Sequence, residues 1–302
     1  MALATLMSAP LRAEPIDFRP GFKVGETFRW SYREESTRQR RGKPPDASGT
    51  VTPLTARVLE ASSSGYVLDW HIGEAQQIYP DQTESSGRSE DRWLQEVATT
   101  LNFELQLSRE GRFLALRNHD PLRSKIDAVI ERLVVERRAR GANVAEEAGR
   151  VLREMLADRE RFEAFLLQDI LLLLFPMGIS LDTDAATTTQ AELPNPFGGD
   201  ALLSDVAIRV AAIDLSKDRA IVEVARRLEP GSVTKLLQAM MARAGKRGAR
   251  AAEFAHMTAD ITDTGKIEVE RSTGLVWRAS HTRQITLPGM VRTIRREFER
   301  IE

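Results

Sequence analysis

Met257-Thr258-Ala259-Asp260-Ile261-Thr262-Asp263-Thr264-Gly265-Lys266-Ile267-Glu268-Val269-Glu270-Arg271-Ser272-Thr273-Gly274-Leu275-Val276-Trp277-Arg278-Ala279 is the stretch that decides the fold class. Apolar residues fall on every second position: Met257, Ala259 and Ile261, then Ile267 and Val269, then Leu275, Trp277 and Ala279. A period of two gives each strand one apolar and one polar face. Asp263-Thr264-Gly265-Lys266 and Ser272-Thr273-Gly274 hold the Gly that hairpin loops need for positive φ, so turns are predicted at both places. The outcome is a one-sided antiparallel meander, and its apolar face needs a cover, either helix or ligand.

The same period recurs near the start of the chain. Phe28, Trp30 and Tyr32 share one face, Leu54, Ala56 and Val58 another, and Tyr66, Leu68, Trp70 and Ile72 a third. Leu101 to Leu107 and Phe113 to Leu116 predict a hairpin around Arg109-Glu110-Gly111. The polar segment Glu34 to Thr50, with its Pro44-Pro45 pair, reads as a mobile loop. Further on, Val206, Ile208 and Val210 are expected to pair with Ala220, Val222 and Val224 across Ser216-Lys217-Asp218. Met290 to Ile301 fits a helix or an edge strand, and the alternation of its charges favours the strand.

Between Asp120 and Phe175 the period changes to that of helices. Asp120-Pro121 is a helix start, since Asp accepts from free backbone N–H groups and Pro at the first position sacrifices no bond. Leu122, Ile126, Val129, Ile130, Leu133 and Val134 form its stripe, and Gly141 stops it. A second helix is predicted from Asn143, and a third over Arg161 to Phe175, ending at Pro176. The third closes on Ile170-Leu171-Leu172-Leu173-Leu174-Phe175, too short for the roughly 20 apolar residues of a membrane span and preceded by Asp169. It reads as a core helix laid on the sheet, with lipid or partner contact as the alternative. A fourth helix carries Val233, Leu236, Leu237, Met240 and Met241. Its exit, Arg243, Lys246, Arg247 and Arg250, either complements the helix macrodipole or contacts an anionic surface.

These blocks define an α+β chain, a curved antiparallel β-sheet of half-barrel-like meander form with an inserted helical segment packed on its apolar face. It reads as one domain from 14 to 302, with strands in 22–118, the helical insert in 120–176, a loop in 177–200, and strands plus one helix in 201–302. With 302 residues, 42% hydrophobic and 29% charged, and a net charge of −1, the chain has no electrostatic footprint for nucleic acid. The absence of cysteine excludes disulfides, thiol chemistry and Cys-based zinc sites. The run from Met1 to Ala13 resembles the rear half of a secretory signal peptide, which predicts a periplasmic or secreted protein.

No catalytic motif is present. The four histidines, His71, His119, His256 and His281, lack metal-ligand spacing, and neither a serine-hydrolase elbow nor a phosphate loop occurs. No catalytic residue, metal ligand or cofactor is therefore assigned, although a carboxylate pair assembled by the fold would be invisible at this level. The aromatics Trp30, Tyr32, Trp70 and Trp277, with Leu171, Leu174 and Phe175, either fill a core or line a pocket for a hydrophobic ligand.

The opening Gly25-Glu26-Thr27-Phe28-Arg29-Trp30-Ser31-Tyr32, the Leu174-Phe175-Pro176 end of the helical middle and the closing Gly265-Lys266-Ile267-Glu268 and Ser272-Thr273-Gly274-Leu275-Val276 resemble uncharacterised exported bacterial proteins in the broad class of domains of unknown function. More distantly, the arrangement resembles the half-barrel periplasmic carriers of lipoproteins, in which helices lid a curved sheet. That resemblance implies a lipid or a lipidated protein as partner and transfers no site residue. The alternative is a structural or interaction protein of the cell envelope with a filled core.

Overall fold

The computed structural model describes residues 15–79, 101–139, 156–193, 195, 200–243 and 259–301, together with 146, 149, 150, 153 and 154. The signal-like run to Ala13, most of the helix expected from Asn143, Met257, and Lys246, Arg247 and Arg250 of the basic helix exit lie outside these residues, as does the side chain of Arg243.

Strands β1 (Ile16–Asp17), β2 (Thr27–Arg40), β3 (Asp46–Ser62), β4 (Gly65–Ile72), β5 (Gln76–Gln77), β6 (Asn102–Leu107) and β7 (Phe113–Leu116) precede helices α1 (His119–Ala139), α2 (Arg159–Leu167) and α3 (Ile170–Leu174). Then come β8 (Ser180–Leu181), β9 (Thr187–Leu193), β10 (Leu202–Asp214), β11 (Arg219–Leu228), helix α4 (Pro230–Arg243), β12 (Asp260–Glu270), β13 (Val276–Leu287) and β14 (Met290–Ile301). The main sheet has the order β7-β6-β4-β3-β2-β14-β13-β12-β11-β10-β9, with β5 beside β3. It consists of two meanders, one before the helices and one after, sewn together where the first long strand meets the last. That seam runs from Arg40 opposite Met290 to Arg29 opposite Ile301. The order ends in β7 and β9, so the sheet is not closed into a barrel. Bulges at Val58/Glu60, Val210/Ala212 and Glu268/Val269 increase the local twist of its long strands.

The expected strands largely form, and Met290 to Ile301 is the strand β14. Four segments differ from the sequence reading, the first being 177–200, expected as a loop, which holds β8 and β9, the latter a strand of largely polar side chains held by its pairing with β10. Glu34 to Thr50 is not a loop, because β2 continues to Arg40 and β3 begins at Asp46. Its side chains are polar on both faces, so hydrophobic alternation disappears while backbone pairing with β14 and β3 persists. Asp263-Thr264-Gly265-Lys266 is not a turn but the middle of β12. Gly265 has no positive φ and is paired on both sides, opposite Val224 and His281, so two ladders outweigh a local turn preference. The turn at Ser272-Thr273-Gly274 does form, with Gly274 at φ +68°. Finally, Arg161 to Phe175 is two helices, α2 and α3, interrupted at Gln168-Asp169.

One apolar cluster joins the first meander to the helices. Trp30 and Trp70, each 1% exposed, stack with ring centroids 5.3 Å apart, and Tyr32 stacks on Phe298 at 4.6 Å. Leu122, Ile126 and Ile130 of α1, Phe162 and Leu167 of α2, and Ile170, Leu173 and Leu174 of α3 belong to the same cluster. Each such side chain gains roughly 1.5–3 kcal/mol on burial, which is how the sheet's apolar face is stabilised. Helix α2 also closes the edge at β7. Glu163 Oε1 accepts from the Leu116 backbone N–H at 3.1 Å, and Arg159 Nη2 donates to the Leu116 carbonyl at 2.9 Å. Two backbone groups that an edge strand would present to another chain are thereby satisfied. A smaller cluster of Leu202, Leu228 and Val233, with Leu236 and Leu237 packed on it, anchors α4.

Candidate functional site

Register fixes which side chains stand side by side across the strands of an antiparallel sheet, because same-face neighbours lie directly opposite one another. On the face that bears the apolar cluster, one row reads Tyr32, Phe298, Ala279, Ile267, Val222, Val210 across β2, β14, β13, β12, β11 and β10. Two residues along each strand, roughly 7 Å away, the row becomes Glu34, Arg296, His281, Gly265, Val224, Ile208. The next is Ser36, Ile294, Arg283, Asp263, Arg226, Val206. The apolar core therefore gives way to ionisable side chains on β2, β14 and β13 in one row and on β13, β12 and β11 in the next.

Asp263, 4% exposed, is the centre of one group. Its carboxylate accepts from Arg226 Nε at 2.9 Å and Nη2 at 2.5 Å, and from Arg283 Nε at 2.7 Å. His281 Nε2 approaches Asp263 Oδ1 at 3.2 Å from the adjoining row. Burial acts to raise the Asp263 carboxyl, but hydrogen bonds from His281 and Arg283 and the charges of Arg283 and Arg226 hold it far below the carboxylate range. The other ring nitrogen, His281 Nδ1, is buried without a hydrogen-bond partner among the described residues.

The second group holds α2 and α3 to the sheet. The Tyr32 hydroxyl oxygen lies 2.9 Å from Glu34 Oε2 and 2.9 Å from Asp169 Oδ2. Arg296 Nε donates to Glu34 Oε2 at 3.0 Å and lies 2.8 Å from Asp169 Oδ1. Glu34 and Asp169 are thus a carboxylate pair assembled by the fold, 135 positions apart in the sequence. Both are engaged by the same tyrosine and arginine. Among the described residues no three His, Asp or Glu side chains converge as a metal site.

Of the residues singled out from sequence, Trp30, Tyr32, Trp70 and Leu174 are buried in the common core, and Leu171 and Phe175 pack against it partly buried. Trp277 stands apart, with the Arg219 guanidinium 3.9 Å from its ring centroid and that of Arg300 at 5.5 Å. Asp263, Asp169, Glu34, Arg226, Arg283 and Arg296 were not singled out. Strand parity was the available signal, since Asp263 falls in phase with Ile261 and Ile267.

The opposite face of β9–β13 carries a trough. Its floor is the row Thr188, Ala207, Ala225, Thr264, Thr282, all small side chains. Two contiguous grooves of about 660 and 410 Å³ share Ala207, Ala225 and Thr264. Taller residues form the rims: Asp205 and Arg227 on one side, Arg209, Glu223 and Lys266 on the other. Arg227 pairs with Asp260 at 2.9 Å and Arg209 with Glu223 at 2.5 Å, which leaves the rims nearly neutral. No described helix is long and apolar enough to cross a membrane.

No protein-family model matches the chain, and no curated protein matches it. Nine chains of solved structures do. Among them is lipovitellin, from a structure of lipid–protein interactions in that protein, at 9% identity and a TM-score of 0.42. The match covers 93% of this chain and 25% of lipovitellin, so the chain spans a quarter of that relative's length. A likeness at this score assigns neither a function nor a ligand.

Proposed function

We propose that the chain is an exported, non-enzymatic binding protein that holds an extended apolar chain, a lipid tail or the acyl group of a lipidated partner, along the trough across β9–β13. The observation that carries this reading is the pair of contiguous grooves, about 660 and 410 Å³, on the face opposite the helices. Ligand pockets commonly measure about 300–1,000 Å³ and place a few polar groups around an apolar lining. The Ala207 and Ala225 floor suits a methylene chain, and the charged rims suit its polar end. Beneath the helices, by contrast, Trp30, Trp70 and Leu173 are each 1% exposed, which leaves that side packed with protein.

The test is native mass spectrometry of protein purified from its own host, together with titration by a fluorescent fatty acid. Ala225→Trp places a large ring in the centre of the trough, and at least a tenfold loss of affinity is expected with the circular dichroism spectrum unchanged. Absence of both a co-purifying lipid and fatty-acid binding would overturn the reading. The packed core favours a second reading, an interaction protein of the envelope, under which both lipid measurements are blank and in-cell cross-linking from the trough rim captures a specific neighbour.

A further inference from the structure

A tyrosine hydroxyl has one hydrogen, yet the Tyr32 oxygen lies 2.9 Å from a carboxyl oxygen of Glu34 and 2.9 Å from one of Asp169. It can donate to only one of them. The other carboxyl either carries its own proton and donates to the tyrosine oxygen or sets a lone pair against that oxygen, with Tyr32 buried and the Glu34 and Asp169 side chains 36% and 29% exposed. We propose that the Gln168-Asp169 turn is a proton-dependent clasp, which holds α2 and α3 on the sheet while one carboxyl of the Glu34–Asp169 pair is protonated and releases them when both are ionised.

Geometry assigns the proton to Asp169. Glu34 Oε2 accepts a hydrogen bond from Arg296 Nε at 3.0 Å. Asp169 Oδ1, although 2.8 Å from the same nitrogen, is buried and receives no hydrogen bond from the described residues. The chain of donors then runs from the Asp169 carboxyl to Tyr32, from Tyr32 to Glu34, with Arg296 closing the far end. Burial pushes the Asp169 carboxyl up, Arg296 opposes that, and the charge of Glu34 adds to it. Burial likewise keeps the Tyr32 hydroxyl protonated. The charged and titratable groups that surround the pair are Arg296 on β14 and His281 on β13, with Arg283, Asp263 and Arg226 in the next row. Those three are paired among themselves, so ionisation of Asp169 meets His281 and the Arg296 that it shares with Glu34.

The clasp lies between the two short helices α2 and α3. Ile170, Leu173 and Leu174 follow it directly and are 2%, 1% and 5% exposed. Releasing the turn therefore uncovers apolar surface at the boundary between core and ionic rows.

Amide hydrogen–deuterium exchange of the full chain, read over 166–176 from about pH 4 to about pH 9 and corrected for intrinsic base catalysis, tests the clasp. Protection is expected to fall at least tenfold as pH rises above the usual carboxylate range, roughly 4. Asp169→Asn, which cannot ionise, should keep its protection throughout. Tyr32→Phe removes the relay oxygen and should show at acid pH the weak protection that the unaltered chain shows only at alkaline pH. A flat profile in the unaltered chain, the same slope in Asp169→Asn, or an unchanged profile in Tyr32→Phe would each overturn the proposal.

Discussion

Replacing Asp263 by Ala removes the carboxylate that pairs with both Arg226 and Arg283 among the described residues. Breaking a buried ion pair by deleting one partner costs about 3–5 kcal/mol, because the remaining charge loses both its solvent and its counter-ion. Here the two arginine side chains keep 25% and 29% exposure, so they rehydrate in part, and the lower end, about 3 kcal/mol, is expected. At roughly 2–4 °C per kcal/mol for a domain of this size, the melting temperature should drop by roughly 6–12 °C. Asp263→Asn should lose nearly as much, since it keeps the shape and loses the charge. The effect has a defined pH dependence. The folded carboxyl titrates far below its ordinary value, so its stabilisation is complete above about pH 4 and drains away as pH falls toward the folded value. Urea denaturation at neutral pH and again near pH 3 should therefore show the gap between the unaltered chain and Asp263→Asn narrowing in acid. A gap under about 1 kcal/mol at neutral pH, or one that does not narrow, would refute the reasoning.

Two further substitutions test the packing. Gly265→Ala should be neutral or should stabilise by about 0.5–1 kcal/mol, because a strand glycine is entropically costly and its Cβ would meet nothing closer than the Ser280 carbonyl at 3.5 Å. Gly65→Ala should instead destabilise by at least about 1–3 kcal/mol, with φ at +142° and the new Cβ 2.1 Å from the Leu107 carbonyl. Equal denaturation midpoints for the two variants would contradict at least one of the assignments. Trp30→Ala should cost about 3–5 kcal/mol, since it empties the stack on Trp70 and leaves the Val276 carbonyl, 2.9 Å from Trp30 Nε1, without its donor. A loss below about 1 kcal/mol in urea denaturation would mean that the core collapses freely around the gap.

The apolar half of this sheet was legible because hydrophobicity reports its own periodicity. Phe28, Trp30 and Tyr32, or Ile267 and Val269, repeat at the spacing of the strand. The candidate ionic site was hidden by that same signal. Where β2 leaves the core, its inward positions become Glu34, Ser36 and Arg38, and a strand without apolar alternation reads as a loop. Asp263 was hidden twice, as a polar residue in an apolar phase and as part of an Asp-Thr-Gly turn signature. Local chemistry favoured the turn, but β11 and β13 flank that segment on both sides and hold it extended. The break at Asp169 follows the same logic, for an acid inside a leucine run looks like a helix imperfection until a tyrosine and an arginine from two distant strands are brought to it. Sequence exposes what each segment prefers alone, whereas charged groups in a sheet interior exist only because partners arrive from elsewhere. An acid that interrupts an otherwise consistent apolar phase therefore marks where cross-strand polar partners should be sought.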